Sequence, residues 1–317
     1  MLKHTQSLVL FLCFLVLFLF VVFFFFTKRN IAIPVSEKVF VTTSFYPLAE
    51  FSRQVGGEFV EVQSLTPTGV EPHDFEPSPG HIRGIYESDL FIFNGGGVDA
   101  WASRLAPSVQ QAGVQTLEIS RLMKNILPPP QTENEEEGSD QEVFDEHFWL
   151  SPTLAQRQIE AIGDALIAID PDHTVQYKLN ADAFIAQLQQ LDQDYQQGLA
   201  QCDIRVAVTS HAAFAYLARD YDFEQLAITG VSPDEEPSAG ALAQLAQTAK
   251  ALGIQYVFFE TLVSPELAQT LSREIGAQTL VFNPLEGLTD EEVNLGKNYL
   301  SVMRDNLQNL RTAMICR

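Results

Sequence analysis

The chain has 317 residues, a formal net charge of −22 and an isoelectric point near 4.5, with 46% hydrophobic residues. So acidic a balance excludes nucleic acid and anionic lipid surfaces as partners and is compatible with cations as ligands. Beyond an apolar N-terminal run, roughly 290 residues remain, enough for two domains with cores of their own.

The first segment is that run. Leu8 to Phe26 is nineteen apolar residues behind a short segment carrying Lys3 and His4. As a helix it would measure about 28 Å, just enough to cross a bilayer core. Residues 1–30 therefore read as a secretory signal or an uncleaved membrane anchor. No small-x-small cleavage site follows, since Thr27, Lys28, Arg29 and Asn30 come next. Cys13, flanked by Leu12 and Phe14, does not match a lipid-attachment box. Lys28 and Arg29 leave the orientation ambiguous.

Strand candidates then arrive at regular intervals. Val39–Thr43, Phe59–Leu65, Asp89–Asn94 and Val114–Ser120 are rich in β-branched or aromatic residues, as are Ile204–Ser210, Gln225–Gly230, Tyr256–Glu260 and Thr279–Asn283. Helical patterns lie between several of them, including Ala241–Leu252 and Pro265–Ile275. Alternation of this kind predicts an α/β fold with two lobes, each a parallel sheet of about four strands flanked by helices. No short repeat is visible.

Between the two sets lies Thr174 to Cys202, without proline. Its apolar residues Tyr177, Ala181, Phe184, Leu188, Leu191, Tyr195 and Leu199 keep the 3–4 spacing of one helical stripe. About 26 residues would make a rod of roughly 40 Å. Pro171 blocks extension backwards, and Asp172 or Thr174 is expected to cap the start. The predicted organisation is an N-terminal lobe over 36–172, a rigid linking helix over 173–201 and a C-terminal lobe over 202–317.

An acidic run interrupts the first half. Pro128, Pro129 and Pro130 lead into seven acidic residues between Glu133 and Asp145, with Glu146 next. Composition favours a solvated loop; its place before His147 also allows a cation-collecting role.

Of the six histidines, three sit in turn-rich contexts at or near strand ends. His73 lies in Pro72-His73-Asp74-Phe75-Glu76-Pro77, His147 follows the acidic run, and His211 ends Val206-Ala207-Val208-Thr209-Ser210. Ligands of open α/β sheets bind at the carboxyl ends of the strands, and imidazole is the commonest metal ligand near neutral pH. His4 precedes the apolar run, and His81 and His173 stand at apparent helix starts. Three histidines leave zinc one ligand short. Glu286, just past the last strand, is the leading fourth donor. Glu260 and Asp234 compete, with Glu260 better suited to orienting a ligand than to binding the ion.

The residues also carry a resemblance. SFYPLAEF, GVEPHDFEPSP, FNGGGVDAW, DEHFWLSP, VTSHAAFAYLARDY, GVSPDEEPSA and NPLEGLT occur in an order that resembles the zinc/manganese-binding solute-receptor family of ABC importers, from about Val39 to Cys316. The resemblance implies two lobes joined by one long helix. It also implies metal binding by His73, His147 and His211. The family's fourth ligand is often an aspartate just after the last strand. Here Asn283 stands near that place, and Glu286 is the acid on offer. Zinc receptors often carry a histidine-rich loop before the second ligand, whereas this one is acidic.

Three imidazoles and one carboxylate suit Zn2+, while Mn2+ prefers more oxygen. The manganese subgroup would be expected to present two histidines and two carboxylates, so His211 favours zinc. The expected function is capture of Zn2+ in the interlobe cleft and delivery to an ABC-type membrane permease. The protein would be a periplasmic or extracytoplasmic monomer, not an enzyme. The competing reading is a zinc hydrolase with Glu260 or Glu76 as general base; a third is an adhesin or manganese receptor of the same fold. For an exported chain, a Cys202–Cys316 disulfide fastening the terminal helix is expected.

Overall fold

A computed structural model describes residues 38–124 and 145–317. The expected signal or anchor and most of the acidic run lie outside the described residues. Among the described residues no helix is long and apolar enough to cross a membrane.

Two four-stranded parallel sheets form the frame. The first is built from β1 (Val39–Thr43), β2 (Val60–Ser64), β3 (Leu90–Phe93) and β4 (Gln115–Glu118), in the order β2-β1-β3-β4. The second repeats that order as β6-β5-β7-β8, from β5 (Val206–Thr209), β6 (Glu224–Ala227), β7 (Tyr256–Phe259) and β8 (Gln278–Val281). In register, Val39 faces Val60 and Leu90 faces Gln115; in the second sheet Val208 faces Leu226 and Phe258 faces Leu280. The predicted strands are all present, with ends shifted by a few residues.

The likeness extends to individual hydrogen bonds. Leu65 N donates to Thr43 O and Ile228 N to Thr209 O, both at 2.9 Å. One residue on, Thr66 N donates to Ser44 O at 3.0 Å and Thr229 N to Ser210 O at 2.9 Å. A structural repeat of half-chain length thus underlies a sequence in which no short repeat is visible.

Helices cover the sheets. In the first half these are α1 (Tyr46–Gly56), α2 (Pro79–Glu87), α3 (Ala100–Gln111) and α4 (Ile119–Lys124), followed by α5 (Pro152–Ile169) and the long α6 (Thr174–Gly198). In the second they are α7 (Ala215–Asp220), α8 (Ala239–Ala251), α9 (Glu266–Ile275), α10 (Asp290–Asn294) and α11 (Tyr299–Ala313). Proline sits in the first turn of α1, α2 and α5, where its missing N–H leaves no bond unmade. Ser78 caps α2 by accepting from His81 N at 3.2 Å while its own N donates to His81 Nδ1. His81 is thereby explained as a capping residue.

All seven stripe residues of the long helix are buried, from Tyr177 to Leu199. They belong to one apolar cluster that runs from Val41 and Phe51 in the first half through α6 to Phe214, Phe282 and Leu310 in the second. Smaller clusters fill the outer layers: Phe75, Phe91 and Trp101 in the first half, Val208, Val257 and Leu271 in the second. A shared core of this extent opposes wide hinge opening. The start of α6 departs from expectation. Neither Asp172 nor Thr174 caps it; Pro171–His173 forms a 3-10 turn, and Asp170 accepts from Tyr177 Oη at 2.7 Å and pairs with His173 Nδ1 at 2.6 Å. A tightened turn replaces the side-chain cap.

The chain end is fastened as expected: Cys202 and Cys316 form a disulfide across 114 residues.

Candidate metal centre

His73, His211 and Glu286 lie on loops that follow strands, whereas His147, expected near a strand end, instead opens the 3-10 turn Phe148–Leu150 ahead of α5. His73 follows β2 on a turn whose Gly69 N donates to Leu288 O of the second half at 2.9 Å. Glu71 Oε1 accepts from His73 N at 3.2 Å. His211 lies two residues past β5. Its backbone N and its Nδ1 both meet Glu260 Oε1, at 3.2 and 2.7 Å, and Glu260 itself stands one residue past β7. His147 repeats that arrangement with a neighbour in sequence: Asp145 Oδ1 accepts from its N at 3.0 Å and lies 2.7 Å from its Nδ1.

A carboxylate on Nδ1 fixes the imidazole tautomer with the Nε2 lone pair pointing the other way. Both rings turn Nε2 inward, 3.3 Å apart, and each is within 3.3 Å of Glu286 Oε1. His73 Nε2 completes the set, 3.4 Å from that same oxygen. One donor atom from each of His73, His147, His211 and Glu286 lies within 4.8 Å of all the others. His147, His211 and Glu286 are buried, and the His73 side chain is 7% exposed.

The electrostatics of the ion-free cluster follow. Burial alone would raise the Glu286 carboxyl, but the charge of His211 and hydrogen bonds from all three rings hold it well below the usual carboxylate range. Burial disfavours a charged His147, yet the bonds to Asp145 and Glu286 push it up to about 9. His211 is raised well above the ordinary histidine value against the same burial, by Glu260 and Glu286. Protons on the inward Nε2 atoms thus stand where a cation would compensate Glu286.

Other candidates are not in the cluster. Asp234 is exposed and shares a hydrogen bond with Asp74 on the facing loop. Glu260 serves His211, as an orienting partner would. Asn283 uses its amide on Leu285 N, Thr261 and Glu292. Glu286, just past the last strand, is fully buried.

Residues not singled out in the sequence brace the segment around His147. Glu146, the last acid of the run, enters the turn of Asn94-Gly95-Gly96-Gly97, where its Oε2 accepts from Gly97 N and from Val98 N at 3.1 Å. Gly96 has φ +77°, and a Cβ there would overlap that carboxylate, so the glycine is required. From the second half, Tyr216 Oη donates to Asp145 O at 2.9 Å and Tyr299 Oη donates to Trp149 O. Trp149 Nε1 donates to Pro284 O at 2.7 Å, two residues before Glu286. The DEHFWLSP motif contains Asp145 and Trp149, and VTSHAAFAYLARDY contains Tyr216, so a chemical signal for them is present; Tyr299 lies in no motif and leaves none.

Two parallel sheets of one topology, a single long helix and a buried histidine–carboxylate cluster are the features of the helix-linked metal receptors. The sequence model of ZnuA, described as the periplasmic component A of the zinc-uptake complex, matches residues 41–313, and the chain belongs to that family. It is 42% identical over 280 residues to the zinc-binding lipoprotein AdcA of Streptococcus pneumoniae, covering 86% of this chain but 55% of AdcA, so the chain spans about half the length of that relative. It is 36% identical over 282 residues to the high-affinity zinc uptake system protein ZnuA of Bacillus subtilis, covering 88% of each chain. The crystal structure of the Zn(II)-bound ZnuA-like domain of S. pneumoniae AdcA superposes with a TM-score of 0.73 at 40% identity, covering 88% of this chain and 99% of that domain.

Proposed function

We propose that this chain is an extracytoplasmic receptor that captures Zn2+ between its two halves and hands it to an ABC-type membrane permease. The ion is cargo, not a resident cofactor. The observation that carries the reading is the convergence of three inward-facing imidazole Nε2 atoms and Glu286 Oε1, with Asp145 and Glu260 fixing two of the rings. Nitrogen-rich donor sets of four suit Zn2+ better than Mn2+. Membership of a zinc-uptake family, described as periplasmic, supports both the cargo and the location. The apolar N-terminal run fits export or tethering.

Two observations weigh against the hydrolase reading. Glu260 is committed to His211, and the Glu76 side chain is 79% exposed and paired with Arg104 at 3.9 Å. The test is a titration of metal-stripped protein with Zn2+ and Mn2+ in competition with a chromogenic chelator. The expected result is one Zn2+ per chain, held far more tightly than Mn2+. Equal affinities, or loss of neither on changing His211→Ala, contradict the proposal.

A further inference from the structure

Glu286 sits in an unusual stretch of backbone. Leu285, immediately before it, has φ +56° although it is not glycine, and its side chain is fully buried. Such a conformation is disfavoured by about 1–2 kcal/mol and persists only where the surroundings impose it. Asn283 supplies the near part of that constraint, since its Oδ1 accepts from Leu285 N at 2.7 Å.

Thr261 and Glu292 hold the Asn283 amide, and what holds its backbone comes from the far end of the chain. β8 is an edge strand, paired with β7 alone, and the ladder ends where Phe282 N donates to Phe259 O at 2.9 Å. Beyond that point the strand's backbone would be left with buried, unpaired groups. Helix α11 supplies partners. Asn306 Oδ1 accepts from Asn283 N at 2.9 Å, and Asn306 Nδ2 donates to Asn283 O at 2.7 Å. One turn on, Asn309 Nδ2 donates to Val281 O at 2.8 Å. The Asn306 amide thus pairs with both polar groups of one residue, as a neighbouring strand would. It is 1% exposed, and both of its bonds go to Asn283.

We propose that Asn306 is the positioning residue for Glu286: by clamping the backbone of Asn283 it imposes the left-handed turn at Leu285 that aims the carboxylate at the three imidazoles. The proposal rests on Glu286 being a ligand of the ion. A helix that, among the described residues, makes no hydrogen bond or ion pair with any of the four donors therefore sets the geometry of one of them, which gives the C-terminal helix a part in metal binding beyond closing the core.

A double-mutant cycle tests this. Zinc affinity is measured by chelator competition for the parent, Asn306→Leu, Glu286→Ala and the combination, all in the full chain. Asn306→Leu should weaken zinc about 10–100-fold in the parent, the size usual for groups that orient a ligand. In the Glu286→Ala background it should change affinity by less than about twofold, because the residue it acts through is gone. Bound Co2+ in Asn306→Leu should shift its visible absorption towards that of Glu286→Ala, which a general loss of stability would not produce. If Asn306→Leu does not fold, Asn306→Ser, too short to reach both groups, serves in the same cycle. Equal losses in both backgrounds, or no loss in the parent, overturn the role of Asn306. Zinc bound normally by Glu286→Ala overturns the ligand assignment itself, a distinguishable failure.

Discussion

The two halves share a strand order and matched loop hydrogen bonds, yet they fill equivalent positions with different chemistry. Past β1 the chain reads Thr43-Ser44-Phe45; past β5 it reads Thr209-Ser210-His211. Past β3 stands Asn94, and past β7 Glu260. In the second half these two positions make an imidazole locked by a carboxylate. In the first they are Phe45, packed edge-on against Trp149, and Asn94, which donates to Glu146 O. The loop after β2 carries His73 in GVEPHDFEPSP, while GVSPDEEPSA after β6 has no histidine. The repeat thus supplies a frame, and the site comes from breaking it. A closed four-donor cluster needs each half to give what the other omits.

The largest effect on stability is expected at the disulfide, which among the described residues only the second half has. Replacing Cys202 and Cys316 with serine should destabilise by up to about 4–5 kcal/mol in the chain-entropy model for a loop this long. Thermal and denaturant unfolding would show it. A midpoint unchanged from the parent would mean that the bridge contributes little beyond the packing of α11.

Writing the first half's residues into the second sharpens the point. His211→Phe with Glu260→Asn removes the buried carboxylate together with its partner, so no unpaired charge is left behind. The variant should fold and should lose zinc affinity by more than about a hundredfold, read by chelator competition. Near-parental binding would show that His211 is not a donor.

The orienting carboxylates come next. Glu260→Gln and Asp145→Asn should each weaken zinc roughly 10–100-fold. Glu71→Gln should do less, since the hydrogen bond Glu71 accepts comes from the backbone of His73 and not from an imidazole ring. The reverse order would place Glu71 closer to the ion than its hydrogen bond indicates.

A gentler perturbation is pH. His147 is raised to about 9, against burial, by Asp145 and Glu286. Its proton therefore stabilises the ion-free fold fully below the ordinary histidine value of about 6.5, and that contribution fades as pH rises through 9. Zinc competes for the same Nε2, so its affinity should move the opposite way, rising with pH until about 9. Titrations at pH 6, 7 and 8 giving one constant would contradict the competition.

The smallest effect expected is that of the acidic run. Deleting Glu133 to Ser139 should leave the zinc dissociation constant within about tenfold, because carboxylates alone compete poorly for zinc with three imidazoles and Glu286. A greater loss would mean that the run supplies a donor.

Local patterns in the sequence carried most of the frame. The seven-residue stripe of α6 and the eight strand candidates depend on neighbouring side chains, and periodicity records those directly. His73, His147, His211 and Glu286 were legible because strand ends, turn residues and a family resemblance agreed on them. The start of α6 departs from the sequence reading, since Asp172 and Thr174 have capping chemistry but the chain enters the helix through the 3-10 turn at Pro171–His173, without a side-chain cap. Asn306 left no signal at all. Its partner is 23 residues away, and nothing in a helix surface reading distinguishes an amide that completes a sheet edge from one that faces water.

If three imidazoles and Glu286 together hold the ion, X-ray absorption at the zinc edge reads that shell directly. Protein loaded with one equivalent of Zn2+ should show three imidazole nitrogens and one carboxylate oxygen at about 2.0–2.2 Å, with the oxygen replaced by water in Glu286→Ala. A parent spectrum with fewer than three imidazoles, or one that Glu286→Ala leaves unchanged in both shell and affinity, would contradict the account.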